Sequence, residues 1–272
     1  MLSAVNGSLR LENGTMDYIR FGRGDRTLVM LPGVGDGLQT VHGMALPFAW
    51  MYRKLAPAFT VYVFSRRRKL PAHQSTREMA AELAEAMRKL ALPPACVVGV
   101  SQGGMIAQYL ALDAPELVSR LVLTVTAGRP NETIRRVLGA WMEDARRGDY
   151  PAILRDYAER SYSERSYSER RLKRMRPLYA LLGRAGGPKS FARFLTQAEA
   201  CIGHDAWDRL SEIACPTLVV GGTEDGVVSA DASRELAARI PGSELLMYAG
   251  LSHALYEEAD DFLDRIIRFA GG

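Results

Sequence analysis

Ser101 stands between Gly99 and Gly103 in "VVGVSQGGMIAQYLAL", where a small apolar stretch gives way to helix-forming sequence. Gly-x-Ser-x-Gly alone is weak evidence for a nucleophile, and a plain turn serine is the other reading. The context is stronger. A strand-to-helix turn holds a serine strained and exposed, the flanking glycines leave room for the bend, and a helix N-terminus favours developing negative charge. A serine hydroxyl is sluggish without a base, so the chemistry also needs a histidine, and an acid to orient it.

The chain offers four histidines. His42 and His73 precede the serine in loops, and His204 lies in a polar stretch. His253, in "AGLSHALYEE", follows the last apolar strand and precedes the last helix, which is where a base is expected. The acid should follow an earlier strand. "LVVGGTEDGVV" offers Asp225 there, beside Glu224, in the chain order Ser, Asp, His.

The elements that would position these groups are legible as patterns. Ser8 to Leu11 and Met16 to Phe21 flank Asn13-Gly14, the composition of a tight hairpin, and a second turn follows at Gly22 to Asp25. Thr27 to Leu31 is a short apolar run of the buried-strand type, ending in "LPGVGDG", and Phe59 to Phe64 repeats the signature. From Glu78 to Leu90 the apolar residues recur at three- and four-residue spacing, which predicts an amphipathic helix before the strand Ala95 to Val100. Met105 to Leu112 reads as a helix, and Leu121 to Val125, Thr217 to Val220 and Glu244 to Tyr248 as strands. Ala232 to Ile240 and Ala259 to Ala270 carry helical stripes. This alternation predicts an α/β fold, a mostly parallel sheet with helices on both faces.

The alternation breaks between about Arg129 and Glu212, where strand signals vanish and polar, helix-prone sequence takes over. This insertion holds 17 Lys or Arg against 12 Asp or Glu, a net of +5, whereas the whole chain is only +4. Within it "SYSERSYSER" (Ser161 to Arg170) is a tandem pentapeptide. Five residues turn a helix by about 140° beyond one full turn, so Tyr162 and Tyr167 would not share a face. The repeat is expected to be surface rather than an aromatic binding box.

With 272 residues, 47% of them hydrophobic, the chain can bury a sizeable core. Acidic and basic residues interleave, so nucleic acid is not demanded as a partner. Cys96, Cys201 and Cys215 lie far apart without metal-ligand spacing, no apolar run is long enough to span a membrane, and Met1 to Glu12 lacks a leader pattern. A cytoplasmic protein is expected.

These residues together resemble the α/β-hydrolase fold, in its capped serine-hydrolase branch. The resemblance runs from "TLVMLPGVGDG" through "TREMAAELAEAM" and "GVSQGGMIAQYLA" to "GGTEDGVV" and "GLSHALYEE". It implies a core of residues 1–128 and 213–272 and a helical cap of 129–212. The family's Gly-x-x-Asp pattern falls on Gly222 to Asp225 and selects Asp225 over Glu224. It also implies an oxyanion hole from two backbone N–H groups, that of Gln102 and one after the third strand. Relatives usually read His-Gly there; this chain has Pro32-Gly33, which makes Val34 the second donor. The other reading of Gly33, Gly35 and Gly37 is a flexible turn.

The implied activity is cleavage of a carboxylic ester, thioester or lactone through an acyl-enzyme, with no metal or organic cofactor required. Family members that cleave carbon–halogen bonds or epoxides carry Asp at the Ser101 position. An acyltransferase using the same triad, and a weakly active ligand-binding receptor, are the alternatives. The expected partner is a small acyl ester, with a carrier-bound acyl group left open. "SRRRKLPAHQST" departs from the family pattern, and Arg66 to Lys69 read as a solvated basic loop that could otherwise attract an acidic substrate. Trp141, Tyr150, Tyr157, Phe191, Phe194 and Trp207 could line an acyl pocket under the cap, but read mostly as cap core.

Overall fold

The computed structural model describes residues 3–163 and 187–271. Eight strands form its sheet: β1 (Val5–Leu11), β2 (Gly14–Gly22), β3 (Arg26–Leu31), β4 (Phe59–Arg67), β5 (Ala95–Val100), β6 (Val118–Thr124), β7 (Thr217–Gly222) and β8 (Glu244–Tyr248). They lie in the order β1-β2-β4-β3-β5-β6-β7-β8. The hairpin strand β2 pairs antiparallel with β1 and β4, and β3 to β8 are parallel.

Strand residues alternate between two cores, as the two-residue period of a strand requires. Val29, Leu31, Val97, Leu121, Leu123 and Val219 face a core covered by α2 (Thr76–Lys89), α3 (Gln102–Asp113) and α7 (Ala230–Arg239). Leu28, Met30, Val98, Val122 and Val220 face the other, covered by α1 (Ala45–Met51) and α9 (Phe262–Gly271). Burial on both faces is why these strands read as continuous apolar runs. α2 starts on a capping box, in which Ser75 and Glu78 satisfy each other's backbone N–H.

Between β6 and β7 the chain forms α4 (Glu132–Arg147), α5 (Tyr150–Ser161) and α6 (Ala192–Ile202). Asn131 caps α4, Gly148 ends it at φ 72°, and Asp149 immediately caps α5. Ile134, Val137, Leu138, Trp141, Ile153 and Phe194 from these helices form a third cluster with Val34, Met105, Val227 and Val228. Those last four belong to the loops and helix starts that follow the sheet's strands, so the helices roof that end of the sheet.

Two expectations need correction. β4 continues through Arg67, and Arg66 and Arg67 are only 4% and 8% exposed, so the first half of Arg66 to Lys69 is buried strand, while Arg68 and Lys69 beyond it are exposed. Arg67 pairs with Glu82 at 2.6 Å, and Arg68 reaches the buried carboxylate of Asp17 at 2.7 Å. The first residues of the tandem repeat are not surface either. Ser161 and Ser163 are buried, and Ser163 bonds Glu258 through its N–H and hydroxyl. Residues 164–170 of the repeat, Tyr167 among them, lie outside the described residues. No helix among the described residues is long and apolar enough to cross a membrane.

Candidate active site

Ser101 joins β5 to α3 with φ 53° and ψ −119°, the left-handed side of backbone space that a residue with a side chain enters only under strain. Four bonds hold it there: its N–H donates to Thr124 O at 2.9 Å, and its carbonyl accepts from Thr126 Oγ1 at 2.7 Å and from the N–H groups of Gly104 at 2.9 Å and Met105 at 3.3 Å. The neighbouring glycines are steric necessities. A Cβ on Gly99 would sit 2.5 Å from Gly103 O, and one on Gly103 would sit 2.1 Å from Leu31 O.

A helix-capping serine spends its hydroxyl on an N–H of the first turn. Ser101 occupies the N-cap position of α3 and makes no such bond. Ser101 instead lines a cavity of about 380 Å³ that His253 also lines.

His253 follows β8 in the loop before α8 (Leu255–Glu258). Its Nδ1 lies 3.1 and 3.0 Å from the two carboxylate oxygens of Asp225. Asp225 Oδ1 also accepts from the N–H groups of Val227 and Val228, each at 2.9 Å. Burial alone would raise this carboxyl's pKa, but the charge and hydrogen bond of the imidazole and the two N–H donors outweigh it, holding the group below its ordinary range. An ionised carboxylate only accepts, so Nδ1 carries a proton towards Asp225, and Nε2 is the ring nitrogen that the carboxylate does not engage. Glu224 is exposed; its N–H donates to Leu251 O at 3.0 Å, and its carboxylate makes no bond to His253.

Val34 opens the 3-10 turn Val34–Gly37, and Gln102 is the first residue of α3. Among the described residues no backbone carbonyl accepts from either N–H, as expected at the start of a helical turn. Gly33 packs on the serine: a Cβ there would lie 3.3 Å from Ser101 Cβ.

The other histidines stand apart. His42 and His73 are exposed. His204 is buried between Thr76 Oγ1 at 2.9 Å and Gln108 Oε1 at 3.2 Å, and burial lowers its pKa to about 3.

Trp141, Tyr150, Tyr157 and Phe194 line the cavity, while Phe191 and Trp207 do not. Met44, Phe48 and Tyr256 also line it and carry no motif that sequence could have flagged. Tyr157 and Tyr256 place their hydroxyls 3.3 Å apart, and burial pushes both phenols above the usual tyrosine range, so each keeps its O–H. Among the described residues no Lys or Arg lines this cavity, and no group of three or more His, Cys, Asp or Glu is arranged to hold a metal ion.

Residues 26–260 match the model of the alpha/beta hydrolase fold family. The chain belongs to that family. This α/β hydrolase is 29% identical over 260 residues to a pimeloyl-[acyl-carrier protein] methyl ester esterase of Vibrio cholerae, covering 88% of this chain and 95% of that protein. It is 31% identical over 212 residues to a candidate carbamate hydrolase, RutD, of Klebsiella pneumoniae, covering 73% and 74%. Among solved structures, the enol-lactonase of Burkholderia xenovorans superposes with a TM-score of 0.80 at 18% identity over 98% of this chain and all of that one, a likeness of fold.

Proposed function

We propose that this α/β hydrolase is a serine hydrolase that cleaves a carboxylic ester through an acyl-enzyme on Ser101. The observation that carries this reading is the unspent Ser101 hydroxyl at the head of α3, opening on the same cavity as a histidine held by Asp225. His253 Nε2 takes the serine proton as Oγ attacks the ester carbonyl carbon. Asp225 stabilises the resulting imidazolium, and the N–H groups of Val34 and Gln102 receive the oxyanion. The imidazolium then protonates the leaving alkoxide. A water attacks the acyl-serine, giving a proton to Nε2; the second tetrahedral intermediate then breaks its bond to Ser101 Oγ, the imidazolium returns the proton to that oxygen, and the acid departs.

Residues 129–212 act as a cap on a core of 1–128 and 213–272, supplying Trp141, Ile153, Tyr157 and Phe194 to the acyl pocket. A cavity of this size, with apolar walls and no cation among its described lining, suits an uncharged, largely apolar acyl group. The relatives support esters first and carbamates second, and the Vibrio cholerae protein makes a carrier-linked methyl ester a natural candidate.

The test is a panel of p-nitrophenyl esters of graded chain length, with methyl esters and carbamates beside them. Ser101→Ala should lower ester hydrolysis by several orders of magnitude while the fold persists. Retained activity in that variant would sink the reading. Acyl transfer to an added alcohol at the expense of hydrolysis would favour a transferase, and tight binding without turnover a receptor.

A further inference from the structure

We infer that Arg193, on insertion helix α6, is a positioning residue that sets both oxyanion donors through Asp36 and Gln197. The inference rests on the hydrolase reading above and adds to it a residue remote from the reacting atoms.

Asp36 is the third residue of the turn that Val34 opens, and its side chain is fully buried. Its Oδ2 accepts from Arg193 Nη2 at 2.8 Å, from the N–H of Arg66 at 3.1 Å and from Gln197 Nε2 at 3.3 Å. Arg193 does more than neutralise it. The guanidinium also donates to the carbonyls of Asp36 at 2.5 Å, Arg67 at 3.0 Å and Arg66 at 3.2 Å, so one planar fork stitches the turn to the end of β4. Gln197 lies one helical turn further along α6 on the same face. Its carbonyl accepts from Gln102 Nε2 at 2.6 Å, and Gln102 supplies the other donor.

The remaining contacts leave the turn little freedom. Gly37 is pressed against α6 so closely that a Cβ there would sit 2.6 Å from Phe194 Cα. The buried guanidinium of Arg66 donates to Pro32 O at 2.6 Å, at the other end of the turn. Pro32 stands where relatives usually carry histidine, and the turn in this chain is braced from outside by two arginines instead. An oxyanion donor acts only when its N–H points at the place the charge will occupy, so a small rotation of the turn matters.

The experiment measures hydrolysis of the best p-nitrophenyl ester by Arg193→Met, Arg193→Lys and Asp36→Asn, with kcat expressed per titratable active site and thermal unfolding followed in parallel. It also measures binding of a matching alkyl trifluoromethyl ketone, whose hemiketal adduct on Ser101 carries an oxyanion. Positioning predicts that kcat falls about 10- to 100-fold with KM little changed, and that ketone affinity falls by the same factor as kcat/KM. Arg193→Lys keeps the charge opposite Asp36 but not the fork, and should recover only part of the loss. A purely structural role lowers Tm and leaves kcat per site and ketone affinity at their starting values, which would overturn the inference. Should Arg193→Met fail to fold, Arg193→Lys and Asp36→Asn decide the matter by the same readouts. An active Ser101→Ala variant would instead bring down the hydrolase reading beneath it.

Discussion

Asp225 and Glu224 are adjacent carboxylates in opposite situations. Asp225 points inward, meets the imidazole of His253 and is tied by two backbone donors, whereas Glu224 points to solvent. Asp225→Asn replaces a carboxylate oxygen with an NH2 donor, which favours the wrong imidazole tautomer, and should lower kcat on the order of 10⁴-fold; Glu224→Gln should leave it nearly unchanged. Initial rates at saturating ester compare the two, and a crippled Glu224→Gln would reverse the assignment. The lowered Asp225 pKa also has a pH sign. Its contribution to stability is fully present above the ordinary value of 3.8 and disappears only as pH falls through the lower folded value. Loss of activity through protonation of this carboxyl should therefore set in only below pH 3.8, which a kcat/KM-against-pH profile checks.

Among the elements, the junction of β3, β5 and α3 has no room for added volume. Gly103→Ala would drive a methyl against Leu31 O, which is backbone and cannot turn aside. Overpacking of this kind should cost about 3 kcal/mol or more, a Tm fall of about 6 to 12 °C, with activity lost as α3 shifts. Gly139, inside α4 with nothing near its missing Cβ, makes the opposite case. Gly139→Ala should raise stability by about 0.5 to 1 kcal/mol, and calorimetry of the pair checks both. Elements with strong periodicity were legible before the structure: β5 and β8 begin and end where the sequence places them, and the Gly-Ser-Gly bend marks its own strand-to-helix joint. α1 escaped notice because "ALPFAWM" has no polar side to contrast with; Leu46 and Trp50 are exposed on it. Arg66 and Arg67 misled because a run of charge reads as solvent-facing, and only the tertiary fold supplies Glu82 and the carbonyls that receive them. Ser101 and His253 stand out as candidates by local context and the family's Gly-x-x-Asp pattern selects Asp225, while Arg193, Tyr256 and Phe48 come near the candidate site only through packing.

At the scale of the whole molecule, His204 links three separate parts of the chain, with α2 at Thr76, α3 at Gln108 and the segment after α6. Its burial holds the pKa at about 3 against an ordinary 6.5, so the folded protein keeps it neutral while the unfolded chain takes up a proton below pH 6.5. Stability should decline as pH falls from 6.5 toward 3, and His204→Gln, which removes the titrating group, should flatten that part of a Tm-against-pH profile. Equal slopes in the two proteins would show that other groups set the acid limit.

The last turn of α5 ends beside the loop that carries His253. Ser252 Oγ donates to Arg160 O at 2.6 Å, and the N–H of Ala254 donates to Ser161 O at 2.7 Å. Both acceptors are main-chain carbonyls, available whatever side chains the helix bears. Recombination between related enzymes could therefore rewrite the α5 sequence freely and still seat the histidine, provided the helix stops at the same place. A graft one residue longer or shorter would keep every pocket side chain and yet mistime the two carbonyls. Helix length at this crossover, more than residue identity, is what an inherited or engineered exchange would have to conserve.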